Sequence, residues 1–307
     1  MNLQSILAVT DLSARGNRAV LRAATLAAQH RAVLQIMYAP RDFVTAGMAD
    51  TSKDVRKLAG EIHARFDILV KNVSDTTGCF DAVVEQARRI DLLVIHEHPE
   101  KSAKAFFCGQ PIERLQRAVA CPILVARMEV FHRYRRILVA VDFTPESREM
   151  VKLAWSLESD AQVELFHALN TTHSNKLRYA DVSVQAEKAY RHECMRDANE
   201  RMYWLSDSST VRRNRVIAAT GGGDTARQAV IQLQHANAEL LVVGKRRRSV
   251  FSDFFFGSIA QRILGWSSSD ILVVPQDLRI DPATENAAPS RAQPDRGPVR
   301  HADRRPA

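Results

Sequence analysis

Ile6-Leu7-Ala8-Val9-Thr10-Asp11-Leu12-Ser13 returns later in the chain as Ile137-Leu138-Val139-Ala140-Val141-Asp142-Phe143-Thr144. Each version is an apolar run that ends in an acidic residue and a hydroxyl, the pattern of a buried strand feeding a turn and then a helix. Two further segments repeat. Asp91-Leu92-Leu93-Val94-Ile95-His96 returns as Glu239-Leu240-Leu241-Val242-Val243-Gly244, and Pro122-Ile123-Leu124-Val125 as Asp270-Ile271-Leu272-Val273. The first repeat is offset by 131 residues (Ile6 to Ile137) and the later two by 148 (Leu92 to Leu240), so the second copy carries 17 extra residues in its middle. The chain is a duplication.

Between these anchors, short apolar runs alternate with amphipathic stretches, which predicts βα units and a parallel sheet in each copy. The first copy reads as strands near 5–10, 33–38, 67–72, 91–95 and 122–126, with helices near 15–30, 54–66, 78–90 and 110–119. The second reads as strands near 136–141, 162–168, 213–219, 239–243 and 270–274, with helices near 145–158, 182–207, 224–236 and 258–266. The runs Leu92–Ile95 and Leu240–Val243 are apolar at consecutive positions, as central strands covered on both faces require. The extra residues are expected to lengthen the second helix of the second copy, where Val184, Ala186, Met195, Ala198, Met202 and Leu205 form a partly apolar stripe. The expected organisation is a first domain over 1–127, a linker over 128–135, a second domain over 136–275 and a tail over 276–307. Five of the eleven prolines lie in that tail, which is poor in apolar residues and is expected to be disordered.

Composition narrows the function. The 307 residues suffice for two cores. A hydrophobic fraction of 46% and a charged fraction of 25% are ordinary for a globular protein. No apolar run is long enough to cross a membrane and the N-terminus lacks the blocks of a signal peptide, so a cytoplasmic location is expected. Cys79, Cys108, Cys121 and Cys194 fall in no metal-like spacing and read as reduced thiols. The net charge of +8 concentrates in the two copies and their linker, at Arg133, Arg135, Arg136 and the run Lys245-Arg246-Arg247-Arg248. No zinc-finger spacing, basic helix or aromatic-interleaved groove accompanies it, which argues against specific nucleic-acid binding.

In open α/β sheets, ligands bind beyond the carboxyl ends of the strands, at the point where strand order reverses. In the second copy three pieces converge there: Val141-Asp142 after the first strand, Gly244 at the end of the fourth, and Gly257-Ser258 opening the last helix. A glycine allows close backbone approach, a helix start offers N–H groups to phosphate, and an acid can accept hydrogen bonds from a ribose or base. Together they read as a mononucleotide site. The segment Val242-Val243-Gly244-Lys245-Arg246-Arg247…Phe256-Gly257-Ser258-Ile259-Ala260 resembles the signature of universal stress proteins, whose ATP-binding members carry Gly, two residues, Gly, nine residues, then Gly and Ser or Thr.

The resemblance covers roughly residues 3–127 and 135–275 and implies a tandem member. It implies a Rossmann-like fold for each copy, of the adenine nucleotide alpha hydrolase type, with a five-stranded parallel sheet flanked by helices. Members commonly pair through their last strands, so Pro122–Val125 and Asp270–Val273 are candidates to pair within one molecule; a homodimer and a protein partner are further expectations. The implied function is stress adaptation, with ATP or a related adenine nucleotide as ligand. Gly244, Gly257, Ser258 and Asp142 match the motif. Arg247 stands where the second glycine belongs, either blocking close approach or supplying charge to a polyphosphate. A protein that keeps the fold but works through partners, without nucleotide, is the alternative.

In the first copy His96 replaces the first glycine, Pro99 the second and Gln110 the Ser/Thr, while Asp11 and Gly109 remain; a lost site is expected. His96-Glu97-His98 offers two metal-ligand types without a third. Gly221-Gly222-Gly223-Asp224 lacks the Lys-Ser/Thr of a phosphate loop and reads as a turn with Asp224 as helix N-cap. Cys108, before Gly109, reads as a small apolar residue. No nucleophile–base pair or paired carboxylates emerge, so a binding protein rather than an enzyme is expected, with weak ATPase activity left open.

Overall fold

The computed structural model describes residues 3–40, 51–73, 80–96, 111–130, 132–169, 184–207, 215–219, 224–245 and 259–275. The first half contains β1 (Ser5–Thr10), α1 (Ala14–His30), β2 (Val33–Tyr38), α2 (Ser52–Phe66), β3 (Val70–Val73), α3 (Phe80–Ala87), β4 (Leu92–Ile95), α4 (Pro111–Ala118) and β5 (Ile123–Val125). The second contains β6 (Arg136–Ala140), α5 (Pro145–Leu157), β7 (Gln162–Ala168), α6 (Val184–Asp207), β8 (Arg215–Ala219), α7 (Thr225–His235), β9 (Leu240–Lys245), α8 (Ile259–Trp266) and β10 (Asp270–Pro275). Every strand expected from the sequence is present, and the ends move by at most a few residues. The tail, with the expectation of disorder, lies outside the described residues.

The strands form one ten-stranded sheet in the order β3-β2-β1-β4-β5-β10-β9-β6-β7-β8. Each half is parallel internally. The halves meet where β5 and β10 pair antiparallel, with Ile123 opposite Val273, Leu124 opposite Leu272 and Val125 opposite Ile271. All six side chains are buried. An apolar parallel strand left at an edge would expose a row of unpaired backbone groups, and this pairing removes two such edges at once. The two five-stranded sheets anticipated from the sequence are therefore continuous.

Side chains alternate between two cores that run through both halves. Ile6 and Ala8 join Val139, Leu165 and Leu272 under α1, α2, α5 and α6. Leu7 and Val9 join Leu138, Phe166 and Ile271 under α3, α4, α7 and α8. The start of α1 is set by Ser13, whose hydroxyl accepts from the Gly16 N–H at 3.1 Å. Its end is set by Arg31 in the left-handed region. As expected, Asp224 caps α7, accepting from the Ala226 N–H at 3.1 Å. Its carboxylate also takes a bidentate pair from Arg262 of α8, both contacts at 2.7 Å.

The junction is fastened by a buried charge cluster. Asp270 accepts from the Arg127 and Met128 N–H groups (2.7 and 2.8 Å) and from the Tyr134 hydroxyl (2.6 Å). Arg22, on α1 of the first half, lies 3.0 Å from the same carboxylate, with its guanidinium stacked 4.2 Å over the Tyr134 ring. Arg127 in turn donates to the carbonyls of Ser267 and Leu264. Burial lowers the Arg127 pKa to about 10, so it stays charged at neutral pH. Burial and the neighbouring carboxylate push the Tyr134 phenol well up, keeping it a hydrogen-bond donor. At the other end of α1, Gln29 reaches the Leu157 carbonyl and the Glu158 carboxylate of the second half.

Candidate functional site

Strand order places one reversal in each half, between β1 and β4 and between β6 and β9. Ala140 pairs with Val243 in parallel, so Val141-Asp142 leaves the sheet beside Gly244, which stays paired with Val274 of β10. Ala8 and Val94 set up the same exit for Asp11 and His96. Val141, Asp142 and Gly244, three of the expected site residues, thus follow neighbouring paired positions. Gly257 and Ser258 directly precede α8, and Arg247 follows β9; all three lie outside the described residues, as do Pro99, Cys108, Gly109, Gln110 and Gly221–Gly223.

The acid is held in the same way in both halves. Asp11 Oδ1 accepts from the Ser13 N–H (3.0 Å) and hydroxyl (2.5 Å). Asp142 Oδ1 accepts from the Thr144 N–H (3.2 Å) and hydroxyl (2.7 Å). The residue between them is left-handed in each case, Leu12 at φ 62° and Phe143 at φ 59°. A bulky side chain in that region costs about 1 kcal/mol or more, and a strain kept at the same turn of both copies marks that turn as built for its shape.

The halves differ in how the helix meets the acid. A Cβ on Gly16 would stand 2.5 Å from Asp11 Oδ1 and 2.7 Å from Thr10 Oγ1, so α1 presses directly on the turn. The matching residue in α5 is Ser147. It is fully buried, and its hydroxyl donates to Asp142 Oδ1 at 3.0 Å while accepting from the Asp142 N–H at 3.3 Å. They differ again in what lies over the acid. In the first half His96 Nε2 sits 3.6 Å from Asp11 Oδ1, and the two side chains are 8% and 5% exposed. In the second half a glycine occupies the place of His96, and both Asp142 and Gly244 are exposed. His96 thus folds onto Asp11; its partners in the metal reading, Glu97 and His98, lie outside the described residues. Among the described residues, no group of three or more His, Cys, Asp or Glu side chains could hold a metal ion.

Three residues that the motif did not single out belong to the second-half site. Thr144 and Ser147 fix the Asp142 carboxylate. His167, near the end of β7, donates through Nδ1 to the Val141 carbonyl at 2.8 Å and packs on the Phe143 ring at 4.2 Å. That bond leaves Nε2 of the neutral ring as an acceptor, and burial lowers the His167 pKa. The signal for His167 is modest: it is the one titratable residue near the end of the run Gln162–Ala168 other than Glu164.

This is a doubly wound α/β protein with a reversal-point site open in its second half. Residues 133–275, the second half of the chain, match the universal stress protein family. No curated protein matches the chain. The crystal structure of a universal stress protein from Archaeoglobus fulgidus superposes with a TM-score of 0.62 at 14% identity, covering 88% of this chain and 96% of that one. A functionally unknown protein from Pseudomonas aeruginosa gives 0.59 at 19% identity, covering 89% and 92%. These likenesses are of fold, and they extend over both halves.

Proposed function

We propose that the chain is a nucleotide-responsive stress protein whose second domain, 136–275, binds ATP or a related adenine nucleotide, while its first domain, 1–127, has lost that capacity. The observation that carries this reading is the contrast at the two reversal points: Asp142 is exposed beside Gly244, whereas Asp11 is covered by His96. An exposed carboxylate pre-oriented by Thr144 and Ser147 suits ribose hydroxyls. By residue type, the Gly257-Ser258 step before α8 suits a phosphate, and Arg247 is a cation that a polyphosphate could use. In this reading the protein binds and signals rather than catalyses.

A second reading keeps the fold as a scaffold for a protein partner. It is favoured by Met150, whose sulfur would lie 2.9 Å from a Cβ on Gly244 and so fills part of the space beside that glycine. Chromatography of the small molecules released on denaturing natively purified protein separates the two, with a parallel sample saturated with ATP. A retained adenine nucleotide, lost in Gly257→Trp but kept in Gly109→Trp, is the expected result. A protein that is empty and ignores added ATP supports the scaffold.

A further inference from the structure

The second half contains a cleft beside the turn that follows Asp142. It has a volume of about 590 Å³ and runs between the start of α5 and the last turns of α6. In the first half, α1 and α2 pack against each other through apolar residues such as Ile62 and Phe66. In the second, the lengthened α6 lies against β8 as α2 does against β3, and the cleft separates its last turns from the start of α5. The residues facing the gap have changed with it. Phe143 stands where the first half has Leu12, and Arg148 where it has Asn17. Asn17 is turned inward, accepting from the Thr10 hydroxyl at 3.1 Å, whereas Arg148 is exposed. From α6 come Arg201, Trp204 and Leu205.

These side chains have a consistent chemistry. Trp204 is 63% exposed, so a large flat ring is left facing solvent at the mouth of the cleft. The Arg201 guanidinium lies 5.8 Å from the Phe143 centroid, and its contacts with Asp197, at 3.1 and 3.2 Å, run through Nε. Arg148 has no ion pair among the described residues. Glu149, which also lines the cleft, is paired with Lys152 at 3.4 Å. Aromatic walls with two guanidinium groups are suited to a flat ring that carries a negative charge, through stacking and bidentate hydrogen bonds together. The volume is that of a small-molecule pocket. We propose that this cleft, which adjoins the reversal point through Phe143 and Thr144, is a second ligand site for a small planar aromatic carboxylate or phosphate.

The test uses the full chain and two probes, 2-naphthoate and the uncharged 2-naphthylmethanol, with calorimetry as the readout and tryptophan emission as a check on the parent protein. Binding of one 2-naphthoate per chain is expected. It should weaken by about tenfold or more in Trp204→Ala, which removes the stacking ring, and in the Arg148→Ala/Arg201→Ala double variant, which removes the charge-assisted contacts. The neutral probe should bind at least about tenfold more weakly than the charged one for the same reason. The substituted residues are exposed, so circular dichroism and Tm should match the parent. No heat at millimolar probe, or unchanged affinity in both variants, would overturn the proposal. So would displacement of 2-naphthoate by saturating ATP, since the cleft would then belong to the nucleotide site; a protein that binds the probe but no ATP keeps this inference and removes the previous one.

Discussion

At the scale of single residues, two glycines illustrate how the same substitution has different meanings. Replacing an exposed helical glycine by alanine normally gains about 1 kcal/mol from helix propensity. Gly16 is helical, but an added methyl would meet Asp11 Oδ1, Thr10 Oγ1 and the Asp11 backbone nitrogen, all within 3.0 Å. The carboxylate is already tied to Ser13, so it cannot simply swing away. Gly16→Ala is therefore expected to destabilise by about 1–3 kcal/mol in urea denaturation. Gly244→Ala presses on Met150 Sδ, the end of a flexible side chain, and should cost much less. His167 supplies a pH signature. Its folded pKa is below the ordinary 6.5, so the unfolded chain takes up the proton first and stability falls as pH drops through that value. His167→Gln should flatten the decline in stability between pH 7 and pH 5; an unchanged slope would show that other groups cause it. Cysteines separate in the same way: burial pushes the Cys121 thiol up to about 12, which makes it inert beside the partly exposed Cys194.

At the scale of elements, the junction between halves rests on one carboxylate. Asp270 opens β10, and it ties α1 through Arg22 and the linking segment through Arg127, Met128 and Tyr134. Asp270→Ala leaves Arg22, only 4% exposed, without its counter-charge, and breaking a buried pair from one side costs about 3–5 kcal/mol. The loss should appear in denaturation as a lower midpoint. A variant as stable as the parent would mean that the apolar β5–β10 seam holds the halves unaided. Much at this scale was legible in the sequence. The repeated apolar runs fixed strand positions because a strand buried on both faces can be written in few residue types. The pairing of Ile123–Val125 with Ile271–Val273 was expected from the resemblance to universal stress proteins, not from the residues themselves. The Asp270 cluster was not legible, since Asp270 is an acid at the start of an apolar run and nothing in its neighbourhood names Arg22, 248 residues earlier in the chain. Likewise, Asp11 and Asp142 looked equivalent by spacing; that one is covered and the other exposed depends on where the His96 side chain turns.

At the scale of the whole molecule, the two similar halves differ at their reversal points. Continuous cores on both faces of a ten-stranded sheet join the halves. One reversal point is closed by its own histidine and the other is open. A ligand that binds the open site stabilises the protein in proportion to its occupancy, and because the cores are shared, that gain should raise a single unfolding transition rather than split it. Among the described residues, no helix is long and apolar enough to cross a membrane. The central claim, that the second half alone binds an adenine nucleotide at Asp142, is tested most directly by calorimetric titration of the full chain with ATP, alongside Asp142→Ala. Asp142 Oδ1 also accepts from Thr144 and from the buried Ser147 hydroxyl, so the Tm of the variant is compared with the parent's and a loss of affinity counts only where the fold is kept. One ATP per chain, with affinity lost in Asp142→Ala and retained in His96→Gln, is the predicted result; no binding by the folded parent, or two equivalent sites per chain, would contradict it.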